Sequence, residues 1–196
     1  MRIINASPSQ SYDQNQGDGV TIGVMDTGID FTHPDLAPNI DVGLSCSFIT
    51  PSNPNADPAE VDPNGDCSTK SAVQDLNGHG THVADIIAGK STDGLHKGMA
   101  PGAKLVAVKV CSAISSSCNG IALLKAMDYA LDPNGDGDTS DAVDVISMSL
   151  GSNYGQLEDD LSLAASNAVK LGVVVVTSAG NGGNKPYIVG SPSIAP

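Results

Sequence analysis

Four short runs of β-branched and other apolar residues recur along this chain, parted by longer stretches that include helical periodicity. They read "GVTIGVMD" (19–26), "KLVAVKV" (104–110), "VDVISMSL" (143–150) and "VVVVTSAGN" (173–181). Strands that are apolar at nearly every position are covered on both faces, as in parallel sheets. Between them, "HGTHVADIIAG" (79–89) carries apolar residues at 83, 86 and 87 before a stopping Gly89. "NGIALLKAMDYAL" (119–131) has an apolar stripe at 121, 123, 124, 127, 130 and 131, with Asn119 placed to cap it. "LEDDLSLAASNAVKLG" (157–172) ends on Gly172. The alternation predicts an α/β fold, a three-layer arrangement in which helices cover both faces of a parallel sheet. At 196 residues, one domain is expected. The stretch 38–76 reads as one long irregular insertion.

In open parallel sheets, function gathers at the carboxyl ends of the strands. Asp26 ends the first run, Ser147 and Ser149 lie near the end of the third, and Asn181 follows the fourth. His79 opens a helix, and helix starts face the same edge. The net charge is −13, from 22 acids against 9 bases, which argues against nucleic acid or an anionic membrane as partner. The apolar run near 172–176 is far too short to span a bilayer. "MRIINASPSQ" has no apolar run after Arg2, so a leader is expected to have been removed, or the chain to begin inside a longer product. Four cysteines allow three pairings, and Cys46–Cys67 with Cys111–Cys118 is the favoured one. Each pair brackets a loop-like polar stretch, and the bridges would place the chain in an oxidising compartment. Without any CxxC, a zinc site has little support.

His79 and His82 stand three apart, a spacing that could share a metal or could make one of them a base. HxxH without a nearby third ligand is a poor zinc site. The wider pattern decides. "VMDTGIDFTHPDL" (24–36), "GHGTHVA" (78–84), "SMSLG" (147–151) and "SAGN" (178–181) occur in the order that resembles the subtilisin-like serine proteases, the subtilases. The cysteines and the acidic loop further resemble bacterial secreted members. The resemblance implies a serine endopeptidase acting on polypeptide substrates, with Asp26 as the orienting carboxylate, His79 as the base and Asn181 as the oxyanion donor. A hydroxyl nucleophile needs a base that titrates near neutrality, and that base needs a buried carboxylate to fix its tautomer. Ser149, Leu150 and Gly151 then resemble the segment that pairs with substrate backbone, and Ser178, Ala179 and Gly180 line its other side. His82 is expected to be a structural bystander, packed or hydrogen-bonded one turn into the helix. Asp85, where many subtilases carry glycine, is expected on a solvated helix face without a role.

The family's nucleophile sits in a GTSMA-like motif, which this sequence lacks. "GSPSIAP" (190–196) offers Ser191 and Ser193 but no GTS triplet. Residues 1–196 are therefore expected to be the first two-thirds of a catalytic domain, truncated before the nucleophilic serine and inactive without the remainder. "DPNGDGDTSD" (132–141) supplies oxygens from Asp132, Asn134, Asp136, Asp138 and Asp141. Its D-x-N-x-D-G opening resembles a calcium loop, although Val143 stands where a bidentate Glu would close an EF-hand. Ca2+ is the expected cofactor. A different reading keeps the scaffold but not the chemistry: a non-catalytic calcium-binding or interaction module.

Overall fold

The protein is described by a computed structural model that covers residues 16–196 save 51 and 116. Its strands are β1 (Thr21–Asp26), β2 (Cys46–Ile49), β3 (Val61–Asp66), β4 (Lys104–Lys109), β5 (Val145–Met148) and β6 (Val174–Thr177). Its α-helices are α1 (Lys70–Val73), α2 (His79–Ala88), α3 (Gly120–Leu131) and α4 (Asp160–Lys170). The strands form one sheet in the order β3-β2-β4-β1-β5-β6. Every neighbouring pair is parallel except β2–β3. β1 lies between β4 and β5, with Asp26 opposite Lys109 and Val24 opposite Ser147.

Alternation along the central strands feeds two cores, one on each face. Met25, Val106 and Val108 pack with Leu123, Met127 and Ala130 of α3 and with Ala165 and Ala168 of α4. Val24, Leu105 and Ala107 point the other way, toward Ala84 and Ala88 of α2. Helices thus cover both faces, as the alternation of runs predicts. Fully buried side chains such as Leu105, Met127 and Ile146 each contribute about 1.5–3 kcal/mol by leaving water. Asn119 caps α3, its side chain accepting from Ile121 N at 2.9 Å and Ala122 N at 3.4 Å. Asp159 caps α4 by accepting from Ser162 N at 2.9 Å.

On α2, Gly80, Ala84 and Ala88 are buried, Val83 and Ile87 pack partly buried against the same core, and Ile86 remains 49% exposed. The small stripe lets α2 lie close on the backbone below, where a Cβ on Gly80 would stand 2.1 Å from Gly28 O. One expectation changes: the stretch 38–76 is not irregular throughout, since it holds β2, β3 and α1. β3 is "VDPNGD", a sequence of poor strand propensity. It is held by antiparallel pairing of Ser47 with Asp66 and of Ile49 with Val61, and by the Cys46–Cys67 disulfide beside that pairing. As the sheet's edge strand it tolerates Pro63. Cys111 is bonded to Cys118, so both disulfides pair as favoured from the sequence.

Candidate active site

β1 ends on Asp26 and α2 begins on His79, which brings the two side chains together at the carboxyl edge of the sheet. His79 Nδ1 lies 2.7 Å from Asp26 Oδ1. The Asp26 side chain is 2% exposed and that of His79 43%. One partner is therefore desolvated and fixed, while the other opens toward the cleft. Burial raises the Asp26 carboxyl above its ordinary value, and hydrogen bonds from His79 and Thr27 N–H offset part of that rise. Thr27 N–H donates to the same oxygen at 2.7 Å. Asp26 Oδ2 is buried without a partner among the described residues.

The pair lies in a cleft of about 580 Å³ whose walls include Leu123, Ser149, Leu150, Gly151 and the Cys111–Cys118 bridge. Ser149, Leu150 and Gly151 continue into an adjoining pocket of about 310 Å³ with Ser178, Gly180 and Asn181. The structure thus gathers the expected substrate segments along one path. Ser178 ties its two sides, donating from N–H to Met148 O at 3.1 Å and from Oγ to Leu150 O at 3.1 Å. Asn181 is exposed at that pocket, and Ala179, exposed between Ser178 and Gly180, lines neither cavity.

Ser191 also borders the larger cleft but is 6% exposed. Its Oγ accepts from Gln156 N at 3.1 Å and donates to Gln156 O at 3.4 Å. Ser193 Oγ donates to Gly190 O at 2.9 Å. Among the described residues, no serine hydroxyl is hydrogen-bonded to His79. Of the two expectations for His82, packing is not met: it is exposed and borders a separate cleft with Asp30, His33 and Asp85. Asp85 is not a bare solvated residue either. Its Oδ2 pairs with His96 Nε2 at 2.7 Å, tying α2 to the loop that follows it.

The sequence reading missed what lies behind the pair. Asp75, Thr27 and Lys109 are all buried. Burial works to raise the Asp75 carboxyl, but hydrogen bonds from Thr81, Gly78 and Asn77 outweigh it and hold the group below the ordinary carboxylate range. Burial lowers the Lys109 ammonium, with the charge of Asp75 opposing the shift. Lys109 Nζ donates to Gln74 O at 2.7 Å. "DLNG" (75–78), a carboxylate just ahead of an Asn-Gly turn, is the signal that could have revealed Asp75.

The acidic loop is organised by its own backbone. Asp132 Oδ1 accepts from Gly135 N and Asp136 N, Asp132 Oδ2 from Gly137 N, and Asn134 Oδ1 from Asp136 N. Asp136 and Asp138 accept from the amides two residues on, and Asp141 Oδ2 from Asn134 N. Among the described residues, no three acidic, histidine or cysteine side chains converge as metal ligands. Asp141 Oδ1 is buried without a partner.

Comparison with known proteins places this geometry. A family model described as the subtilase family matches residues 17–196. The major intracellular serine protease of Bacillus subtilis (strain 168) is 35% identical over 171 residues, which is 86% of this chain and 45% of that protein. The minor extracellular protease Vpr of the same organism is 32% identical over 179 residues, 90% of this chain and 19% of that protein. The solved structure of sphericase superposes with a TM-score of 0.69 at 32% identity, covering 91% of this chain and 51% of that one. The chain spans about half the length of these proteins or less.

Proposed function

The chain belongs to the subtilase family, and on that footing we propose that it supplies the general base, its orienting carboxylate and much of the substrate path of a serine endopeptidase. One observation carries the reading: the desolvated Asp26 carboxylate lies 2.7 Å from Nδ1 of a half-exposed His79. In the proposed reaction a serine hydroxyl outside these residues attacks the peptide carbonyl. His79 Nε2 takes the hydroxyl proton, Asp26 stabilises the resulting imidazolium, and Asn181 donates to the oxyanion. The imidazolium then passes its proton to the leaving amine, and a water activated by the same nitrogen releases the acyl group. The Ser149–Gly151 segment would pair with substrate backbone. The exposed apolar side chains of Ile86 and of Val174 and Val176 on β6 offer a surface on which the nucleophile-bearing remainder of the domain would pack.

The test compares His79→Ala with His82→Ala in the full-length protein. His79→Ala should lower turnover by about the millionfold that subtilisin itself sets for loss of its base. His82→Ala should stay near the parent. Equal losses would mean the base is misassigned. A fluorophosphonate probe should label neither Ser191 nor Ser193, and labelling of either would overturn the exclusion of this segment.

Secretion is the proposed setting. Two disulfides suit an oxidising compartment, although one relative is named as intracellular and another as extracellular. Among the described residues, no helix is long and apolar enough to cross a membrane. Calcium at the loop of Asp132, Asn134, Asp136, Asp138 and Asp141 is a separate proposal. Its support is four aspartates within ten residues and the partnerless Asp141 Oδ1. The fit is partial, because backbone amides already occupy both Asp132 oxygens. Excess calcium should raise the melting temperature relative to chelator, by an amount equivalent to about 2.7 kcal/mol at a hundredfold excess over Kd. Asp136→Ala should remove most of that gain. A parent whose melt ignores calcium would reduce the loop to an acidic turn.

A further inference from the structure

Behind the Asp26–His79 pair lies a second buried carboxylate. Asp75 is 7% exposed and collects five donors. Its Oδ1 accepts from Asn77 N and Gly78 N at 2.9 Å and from Thr27 Oγ1 at 3.0 Å. Its Oδ2 accepts from Thr81 N at 2.9 Å and Thr81 Oγ1 at 2.6 Å. These donors come from three places: the residue after Asp26, the turn before His79, and the helical turn that follows it. Thr27 closes the circuit. Its Oγ1 accepts from Gly80 N at 3.0 Å, while its N–H donates to Asp26 Oδ1 at 2.7 Å, on the oxygen that faces His79. Lys109 supplies the opposing charge from the end of β4.

We propose that Asp75 is a positioning residue which, through the Thr27 hydroxyl, sets the geometry at which His79 Nδ1 meets Asp26 Oδ1. The proposal rests on the reading of Asp26 and His79 as carboxylate and base. A carboxylate suits the place because it only accepts, and all five groups aimed at it donate. An asparagine there would turn an NH2 against some of them. The Thr27 hydroxyl both donates to Asp75 and accepts from Gly80, so it joins the strand end both to the buried carboxylate and to the helix start.

The test uses Asp75→Asn, Thr27→Val and Thr27→Ser in the full-length protein. It reads kcat and KM on a peptide substrate and the NMR resonance of the His79 Nδ1 proton, which lies far downfield when a carboxylate holds it. Asp75→Asn and Thr27→Val should lower kcat by roughly a hundredfold, the scale of a misplaced reacting group, with KM unchanged. Both should shift the Nδ1 proton upfield or broaden it away. Thr27→Ser, which keeps the hydroxyl, should hold both readouts near the parent. If Asp75→Asn does not fold, the two Thr27 variants decide. A folded Thr27→Val with the parent's kcat and resonance overturns the proposal. So does an equal loss in Thr27→Val and Thr27→Ser, which would assign the effect to packing. A parent with no downfield resonance, together with an active His79→Ala, overturns the catalytic reading itself and the proposal with it.

Discussion

In the proposed reaction Asp26 would serve two ends that conflict. It would be shielded from water to hold His79 in one tautomer, yet stay charged to stabilise a cation. Burial raises its carboxyl above the ordinary value near 3.8, and the hydrogen bonds from His79 and Thr27 recover only part of that rise. The unfolded chain, with the lower value, loses its proton first as pH climbs. Stability from this group is therefore fully present below the ordinary carboxylate value and is lost as pH rises through the raised folded one. Asp26→Asn never ionises and escapes that loss. Its melting temperature relative to the parent should climb as pH rises from below the ordinary carboxylate value through the raised folded one, the window in which the two states differ in bound protons. A difference that stays flat across that range would show that the carboxylate carries no such strain. The meeting of Asp26 and His79 was legible in the sequence because the motifs around both resemble those of one family, in that family's order. Asp75, Thr27 and Lys109 were not, since short hydroxyl and carboxylate side chains occur in many turns and only the fold brings these together.

Elements divide along the same line. β1, β4 and β5 were legible because a covered parallel strand must be apolar throughout, β6 because its valine run has the same character although Val174 and Val176 are exposed, and α3 because its stripe and its cap agree. The cap makes a measurable claim. Asn119 accepts from two first-turn amides, and its Nδ2 donates to Ala59 O at 2.9 Å. Asn119→Ala should cost about 1–2 kcal/mol, read as a lower urea midpoint at unchanged slope. A loss below a few tenths would show that the tie to residue 59 and the cap are both dispensable. The hairpin of β2 and β3 was not legible, because "VDPNGD" resembles a turn by composition. Pairing with Ser47 and Ile49 and the Cys46–Cys67 bond impose what propensity does not. α2 was legible as a helix from its apolar residues, and close approach then selects the small side chains of Gly80, Ala84 and Ala88 for its most buried positions.

At the scale of the whole molecule the sheet is asymmetric. One margin, β3, belongs to a disulfide-anchored hairpin rich in polar residues; the other, β6, has a hydrogen-bonding neighbour on one side only among the described residues. Val174 and Val176 on that strand are 57% and 52% exposed. Such a margin is a template for edge-to-edge self-association, with β6 of one molecule extending the sheet of the next. A net charge of −13 opposes it by keeping copies apart. The balance should turn on ionic strength, because the screening length falls from about 30 Å at 0.01 M salt to about 3 Å at 1 M. Light scattering from the 196-residue chain should rise with sodium chloride, and Val176→Lys should suppress the rise. Equal scattering from parent and variant would place the sticky surface elsewhere. In these 196 residues β6 would then govern colloidal behaviour as well: left uncovered, it offers an open face for sheet growth that long-range charge holds back.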